Sequence, residues 1–188
     1  MSEGKFFRLL ADPTATSRWY LKAPLDPFGN EIDPRLFTQG VPFDRQQLMS
    51  LPIRRAGNEV AFNLCDFDMV VTSAQVNAAL ESITGPAIQR IPVTVEGKSG
   101  FEILNVCDLL QCIDETRSLV TRWTDADGRP EKIGQLRMVA KLRIDPKAAD
   151  GHHLFRVAGW PVALIASKEV KSIFEERKVS GVKYERVD

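Results

Sequence analysis

Hydrophobic residues in the middle of the chain recur at the spacing of an amphipathic α-helix. They stand at positions i, i+3, i+4 and i+7, which places them on one apolar stripe that must face a sheet or another helix. The four residues are Val76, Ala79, Leu80 and Ile83. Thr72 or Ser73 is the expected N-terminal cap, and Gln75 completes a Thr-x-x-Gln capping box. The Thr-Gly-Pro sequence at 84–86 is expected to end the helix.

A second helix is predicted near the C-terminal end of the chain. Ser167 is its expected cap, and Glu169 stands in the first turn, where a negative charge is favourable. Val170, Ile173 and Phe174 form its apolar stripe. Each of the two helices therefore has one apolar face, and the two faces pack either on the same hydrophobic core or on different ones.

Short runs of alternating or continuous apolar residues predict strands before, between and after the helices. Turn-forming residues separate these runs, most densely at 23–34 and 124–130. The predicted strands cover residues 6–10, 19–21, 88–95, 101–106, 136–144, 154–157, 161–165 and 182–187. A short helical turn or irregular segment is expected at 107–113. Together these elements predict an α+β fold, with a mixed or mainly antiparallel sheet, two principal helices and an irregular N-terminal layer.

Two stretches of the sequence resemble each other at an offset of 94 residues. Residues 70–80 and 164–174 each predict a strand, a serine cap and a helix. The strands that follow end in Gln-Arg-Ile at 89–91 and in Glu-Arg-Val at 185–187. A decayed duplication explains this pattern, and so does convergence on a common strand–cap–helix–strand unit.

The length and composition of the chain fit one folded domain. Of its 188 residues, 44% are hydrophobic and 27% are charged, which is the balance of an ordinary soluble protein. We therefore expect a single domain over residues 1–188, with an irregular part at 1–58 and a core at 59–188. No stretch has the apolar length of a secretory signal or a membrane span. The three cysteines are odd in number and lack metal-binding spacing, which favours the reducing cytoplasm.

Acidic residues concentrate in the middle of the chain, although its formal net charge is zero. Nine acidic side chains and two basic ones lie from Glu59 to Glu115, which gives this segment a net charge of −7. General nucleic-acid binding needs a clustered basic surface, so this pattern argues against it. An acidic face can instead steer a basic protein partner.

The sequence offers no combination of residues that predicts catalysis or a bound cofactor. His152 and His153 are adjacent, so on a strand their side chains face opposite ways and do not form one metal site. Asp66 and Asp68 share one face of an extended segment, which allows a carboxylate pair, but no third ligand stands nearby. A Gly-x-Ser-x-Gly elbow and the phosphate-binding glycine motifs are missing from the sequence. We therefore predict no catalytic residue, no metal and no cofactor.

The chain carries a distinctive order of short motifs from about residue 62 to its end. They are 68–73 before the first helix, 91–93 in the next strand, 101–106 with Asp114 and Ser118 downstream, 154–161, 165–167 and 180–185. In this order they resemble a bacterial family of immunity proteins of polymorphic toxin systems, the Imm-eleven class. Each motif alone is common, because most describe strand ends and helix caps, so the joint order carries the resemblance.

This resemblance implies a cytoplasmic, non-enzymatic protein that is encoded beside a toxin and protects its producer by binding that toxin. The immunity-like core would be residues 59–188, and the chain would act as a monomer or small homo-oligomer. The acidic middle of the chain favours a basic, nuclease-like toxin domain as the partner. We expect the protein to bind neither nucleic acid nor a membrane.

The partner contacts are predicted from charge and from the enrichment of tryptophan in protein interfaces. They are Asp66, Asp68, Glu96, Asp108, Asp114, Glu115 and Trp123. Trp123 is equally explained as a core anchor. Two other functions stay open at this point: an adaptor or structural component of a secretion or assembly system, and a small-molecule-binding enzyme that uses Asp66 and Asp68 or the two histidines.

Overall fold

The computed structural model describes residues 5–44 and 47–188. Its α-helices are α1 (Ala74–Thr84) and α2 (Lys168–Glu176). The strands in the first half are β1 (Phe6–Ala11), β2 (Tyr20–Leu21), β3 (Met49–Leu51), β4 (Ile53–Arg55), β5 (Phe62–Leu64), β6 (Val70–Ser73) and β7 (Ile88–Val95). Those in the second half are β8 (Lys98–Val106), β9 (Leu109–Leu110), β10 (Leu119–Arg122), β11 (Leu136–Ala140), β12 (Leu154–Val157), β13 (Trp160–Ser167) and β14 (Val182–Arg186).

The strands form two five-stranded sheets and two short ribbons among the described residues. The first sheet has the order β3-β7-β8-β6-β5, and the second has the order β14-β1-β13-β12-β9. Neighbouring strands are antiparallel except for β3 with β7 and β9 with β12. The predicted α+β fold, with two helices and mixed, mainly antiparallel sheets, is confirmed.

Four strands of each sheet repeat one order, β7-β8-β6-β5 in the first and β14-β1-β13-β12 in the second, while β3 and β9 lie on opposite edges. Val71 of β6 lies opposite Ile103 of β8, and Ile165 of β13 lies opposite Arg8 of β1. The N-terminal strand β1 therefore occupies in the second sheet the place that β8 occupies in the first. The offset of 94 found in the sequence joins equivalent positions through to the last strand.

The sequence alignment of 89–91 with 185–187 has to be corrected by two residues. Ile88 lies opposite Val106, and Val182 lies opposite Ala11 at the equivalent position. Ile88 and Val182 are 94 residues apart, whereas the aligned tripeptides are 96 apart. The charged tripeptides therefore do not occupy equivalent positions in the two sheets.

A central hydrophobic cluster lies between the two halves, where the helices contact each other. Side chains alternate along each strand, so one face of each sheet is directed to this cluster. Its members from both sheets and both helices include Leu9, Phe62, Val70, Leu80, Leu104, Leu164 and Phe174. The opposite face of the first sheet is covered by residues 19–44 and 47–60, which belong mostly to the expected irregular part at 1–58; β1, in the same part, instead joins the second sheet. The opposite face of the second sheet is covered by the segment from Leu110 to Ala149.

Four details of the prediction are wrong. The segment that carries Asp66 and Asp68 is a turn with left-handed residues, so the two carboxylates do not share one face of an extended strand. The capping box does not form, because Thr72 belongs to β6 and its hydroxyl bonds the Asn77 side chain at 2.5 Å, while Ser73 makes no capping bond. The segment 107–113 contains the strand β9, which long-range pairing with β12 stabilises. The strand expected at 136–144 ends at Ala140, since Lys141 adopts a left-handed conformation with φ of 47°.

Candidate partner-binding surface

Three of the seven predicted contact residues connect to the turn that joins β12 and β13: Asp68 and Asp108 through Arg156, and Glu115 through a depression that it shares with this turn. This β12–β13 turn consists of Ala158 and Gly159. On one side it adjoins the antiparallel pair β10–β11, which we call the ribbon, because Leu136 lies beside Gly159. On the other side Arg156 connects it to the loop between β5 and β6. The ribbon and the loop between β5 and β6 therefore both adjoin this end of the second sheet.

The loop between β5 and β6 is Cys65–Met69, which we call the Phe67 turn. Phe67 and Asp68 are consecutive left-handed residues, with φ of 54° and 58°. The turn is closed by backbone bonds from Cys65 to Met69 at 2.8 Å and from Met69 to Asp66 at 3.3 Å. A bulky side chain rarely adopts this conformation. Nevertheless, the Phe67 side chain is 58% exposed.

The two carboxylates of the Phe67 turn differ in their contacts. Asp66 forms an ion pair with Arg54, and the guanidinium of Arg35 lies 5.0 Å from the centre of the Phe67 ring. The Asp68 carboxylate has no hydrogen bond or ion pair within the described part of the chain. Its pKa is raised because partial burial outweighs the attraction of Arg156 and Arg8.

Arg156 is a fully buried cation beneath the Phe67 turn. Its guanidinium donates to the backbone oxygen of Asp68 at 2.9 Å and to that of Pro161 at 2.6 Å. Its Nε atom has no hydrogen-bond partner among the described residues. Burial lowers the pKa of the guanidinium to about 10. Arg156 thereby links the Phe67 turn to the beginning of β13.

Asp108 lies next to this link and contacts one of the two histidines. Its backbone oxygen accepts the Arg156 amide at 2.9 Å, and its carboxylate lies 2.8 Å from Nδ1 of His152. The other histidine, His153, places Nδ1 3.0 Å from the Ser167 hydroxyl and 3.6 Å from the Glu169 carboxylate.

The arrangement of His153, Ser167 and Glu169 is not that of a catalytic triad. A triad uses one ring nitrogen for the nucleophile and the other for the carboxylate. Both groups here face the same nitrogen, and the Ser167 hydroxyl is occupied in capping α2 through the amide of Val170. No group of three residues suited to hold a metal ion occurs among the described residues.

The ribbon presents an apolar outer face. Val120 and Val139 lie opposite each other and turn inward, where Val139 is buried. The alternate positions turn outward, so Leu119 is 55% exposed and Met138 is 51% exposed. Each ribbon strand pairs only with the other in the described part of the chain. Its outer edges therefore offer unpaired backbone groups.

Glu115 and Trp123 border the ribbon. The Glu115 carboxylate bonds Arg122 at 2.5 Å, and this pair forms the shared wall of two shallow depressions of about 500 and 560 Å³. The first depression is also lined by Ala158 and Gly159. Trp123 is partly buried, with Lys132 Nζ 5.2 Å and Arg137 Cζ 4.9 Å from its ring centre.

Asp114 organises the loop that leads into the ribbon. It accepts bonds from the Thr116 hydroxyl at 2.6 Å and from Arg117 Nε at 2.6 Å. These bonds hold the pKa of Asp114 far below its usual value. Glu96 lies in the first sheet, at the turn between β7 and β8, where it accepts the Ile53 amide at 3.3 Å.

Several residues of this surface could not be selected by charge. Leu119 and Met138 belong to alternating patterns that also describe a buried strand, and Phe67 carries no charge that would distinguish it from a core residue. Arg156 left one usable signal, since it is the single charged residue in the apolar run Leu154 to Val157.

The comparisons with known proteins identify one family. The model of the Immunity protein family (Imm11) matches residues 31–188, which extends the resemblance seen in the sequence toward the N-terminus. No curated protein matches the chain. No helix in the described part of the chain is long and apolar enough to cross a membrane. The family carries a role in immunity to toxins, and the chain belongs to it.

Proposed function

We propose that this protein binds a toxin encoded beside its own gene and neutralises it in the cytoplasm of the producing cell. The observation that carries the proposal is the match to the immunity family over residues 31–188. The protein acts by occupying the toxin's surface, and no bond is made or broken. We further propose a 1:1 complex with a monomeric immunity protein, the simplest of the expected assemblies.

The ribbon and the β12–β13 turn supply the main contact in this proposal. Exposed Leu119 and Met138 offer an apolar centre, and the Glu115–Arg122 pair offers a polar rim. Interfaces are commonly built in this way. A stable complex buries about 1,200–2,000 Å² in total, and we propose that the toxin also covers the Phe67 turn.

The acidic segment favours a basic partner, although several of its carboxylates are already paired within the chain. Asp66, Asp114 and Glu115 each form an ion pair with an arginine of the same chain. Their charges are therefore largely compensated at short range and act mainly through the net charge of the segment. We propose a basic, nuclease-like toxin domain whose approach is accelerated at low salt.

The decisive experiment co-expresses the protein with the product of the neighbouring toxin gene. We expect rescue of growth and co-purification of a 1:1 complex. A Leu119→Glu, Met138→Glu double variant should raise the Kd at least about 30-fold, because a hot-spot loss of about 2 kcal/mol has this size. Phe28→Glu is the matched control, since Phe28 is 90% exposed but lies in a separate turn. Failure of the wild-type protein to bind or to rescue growth would exclude the proposed function.

Charge steering has its own measurement. Glu115→Lys should lower the association rate most at low salt, and the difference from wild type should shrink as salt rises. An equal effect at all salt concentrations would show that Glu115 acts through the Arg122 contact and does not attract the partner.

A further inference from the structure

Asp68 is the predicted acidic contact whose carboxylate forms no direct hydrogen bond or ion pair with the described residues, although Arg156 and Arg8 attract it from a longer distance. Asp66, Asp114 and Glu115 bond arginines, Asp108 faces His152, and Glu96 accepts a backbone amide. The Asp68 carboxylate has no such contact within residues 5–44 and 47–188, although the side chain is partly buried. A partly buried carboxylate without a partner is destabilised, and a cation from a binding partner would relieve this.

Phe67 adds an independent observation beside Asp68. Its left-handed conformation is costly for a large side chain, and the ring gains little burial in return because most of it faces solvent. Asparagine or glycine would form the same turn more easily. An exposed aromatic ring held in a strained turn is typical of a residue that contacts a partner.

Arg156 accounts for the persistence of this strained turn. Its guanidinium, buried and without a carboxylate hydrogen bond, donates to the backbone oxygen of Asp68 and to that of Pro161. The bond to Asp68 fixes the peptide that joins Asp68 to Met69, directly after the two left-handed residues. Arg156 is therefore a positioning residue, which itself contacts no solvent.

We propose that the Phe67 turn is an anchor for the toxin: the Phe67 ring enters an apolar pocket, and the Asp68 carboxylate pairs with an arginine or lysine of the toxin. A basic side chain is the occupant that the charge requires, because an apolar or acidic group would bury the carboxylate unpaired. The inference rests on the proposed function and names a specific contact within it.

The test measures the affinity of the full-length protein for the purified toxin by calorimetry. Phe67→Asn keeps a side chain that tolerates the left-handed conformation, and Asp68→Asn keeps the shape of the side chain while removing its charge. We expect each variant to raise the Kd at least tenfold. Phe28→Asn and Asp150→Asn are the controls, both at exposed positions outside the turn, and should change the Kd less than twofold.

A double-mutant cycle tests the positioning role of Arg156. Arg156→Met should raise the Kd about tenfold in the wild-type background, but less than twofold when Phe67→Asn and Asp68→Asn are already present. A purely structural loss would instead add in both backgrounds, and would exclude the positioning role.

Two negative results lead to different conclusions. If the wild-type protein binds tightly and both Phe67→Asn and Asp68→Asn bind within twofold of it, the anchor is wrong while the proposed function stands. If the wild-type protein does not bind the neighbouring toxin at all, the proposed function fails and the anchor fails with it.

Discussion

Gly181 connects the two halves of the molecule, and its replacement by alanine should be unusually destabilising. The beginning of β5 is hydrogen-bonded to the turn before β14. The Phe62 amide donates to the Ser180 backbone oxygen at 3.0 Å, and the Ala61 amide donates to the Ser180 hydroxyl at 3.0 Å. A Cβ atom at Gly181 would lie 2.5 Å from the Phe62 backbone oxygen and 2.9 Å from Val60. Neither neighbour can move without separating β5 from this turn.

The expected cost has two parts. Gly181 has a φ of 87°, and a left-handed conformation costs an L-residue about 1–2 kcal/mol. The steric overlap adds about 1–3 kcal/mol, as for overpacking in a core. Gly128 separates the two parts, because its φ of 64° is also left-handed but nothing lies within 4 Å of its Cβ position. Gly128→Ala should therefore cost only about 1–2 kcal/mol.

Urea denaturation of the two variants and the wild-type protein provides the measurement. We expect Gly181→Ala to lose about twice as much free energy of unfolding as Gly128→Ala, with unchanged denaturant slopes. Equal losses would refute the claim that close contact with β5 determines the cost, and would leave backbone conformation as its whole cause.

Two further predictions concern paired positions. Burial raises the pKa of Asp68, so the folded protein loses stability as the pH rises and this carboxyl group ionises. Asp68→Asn should therefore raise the melting temperature at neutral pH. The gain should vanish well below pH 3.8, where the carboxyl group is protonated in both the folded and the unfolded protein. Hydrogen bonds lower the pKa of Asp114, so Asp114→Asn should lower the melting temperature at neutral pH and have no effect in strong acid. Ser167→Ala should cost about 1 kcal/mol in urea unfolding because it removes the cap of α2, whereas Ser73→Ala, which removes no capping bond, should cost less than about half of that. Equal losses at the two serines would contradict the capping assignment.

The helices and longer strands could be predicted because their signals are local. The stripe of α1 and the capped stripe of α2 repeat at helical spacing, and β7 was bounded by a proline-containing turn on one side and a hairpin on the other. The strands β3 and β9 gave no comparable signal, since each has two or three residues and pairs in parallel with a distant strand. Such pairing depends on tertiary contacts more than on intrinsic preference.

The surface could be predicted only as far as charge indicates it. The acidic residues are visible in the sequence, but their arginine partners are brought to them by folding, as Arg54 is to Asp66. The turn at Phe67 could not be predicted, because left-handed turn positions are normally occupied by glycine or asparagine. Arg156 could have been selected from the sequence, since a charge inside an apolar strand must be satisfied by groups that are distant along the chain.

The position of β1 could not be anticipated, and it leads to a prediction about the whole chain. The strand lies between β13 and β14, and its Leu9 and Phe6 are 2% and 6% exposed. Losing their burial removes about 1.5–3 kcal/mol each, and both neighbouring strands lose their partner. A domain is commonly stable by only about 5–15 kcal/mol in total.

We therefore propose that the chain is a single domain to which β1 is indispensable, even though the family match begins at residue 31. A chain of residues 13–188 should show no cooperative melting in calorimetry, because the second sheet has a gap between β14 and β13 and the helices share one cluster with it. A synthetic peptide of residues 1–12 should restore the transition, and the same peptide with Leu9→Asp should not. Cooperative melting of the truncated chain within a few degrees of the full-length protein would contradict the proposal, since it would mean that the two halves are stable without the strand that completes their repeated topology.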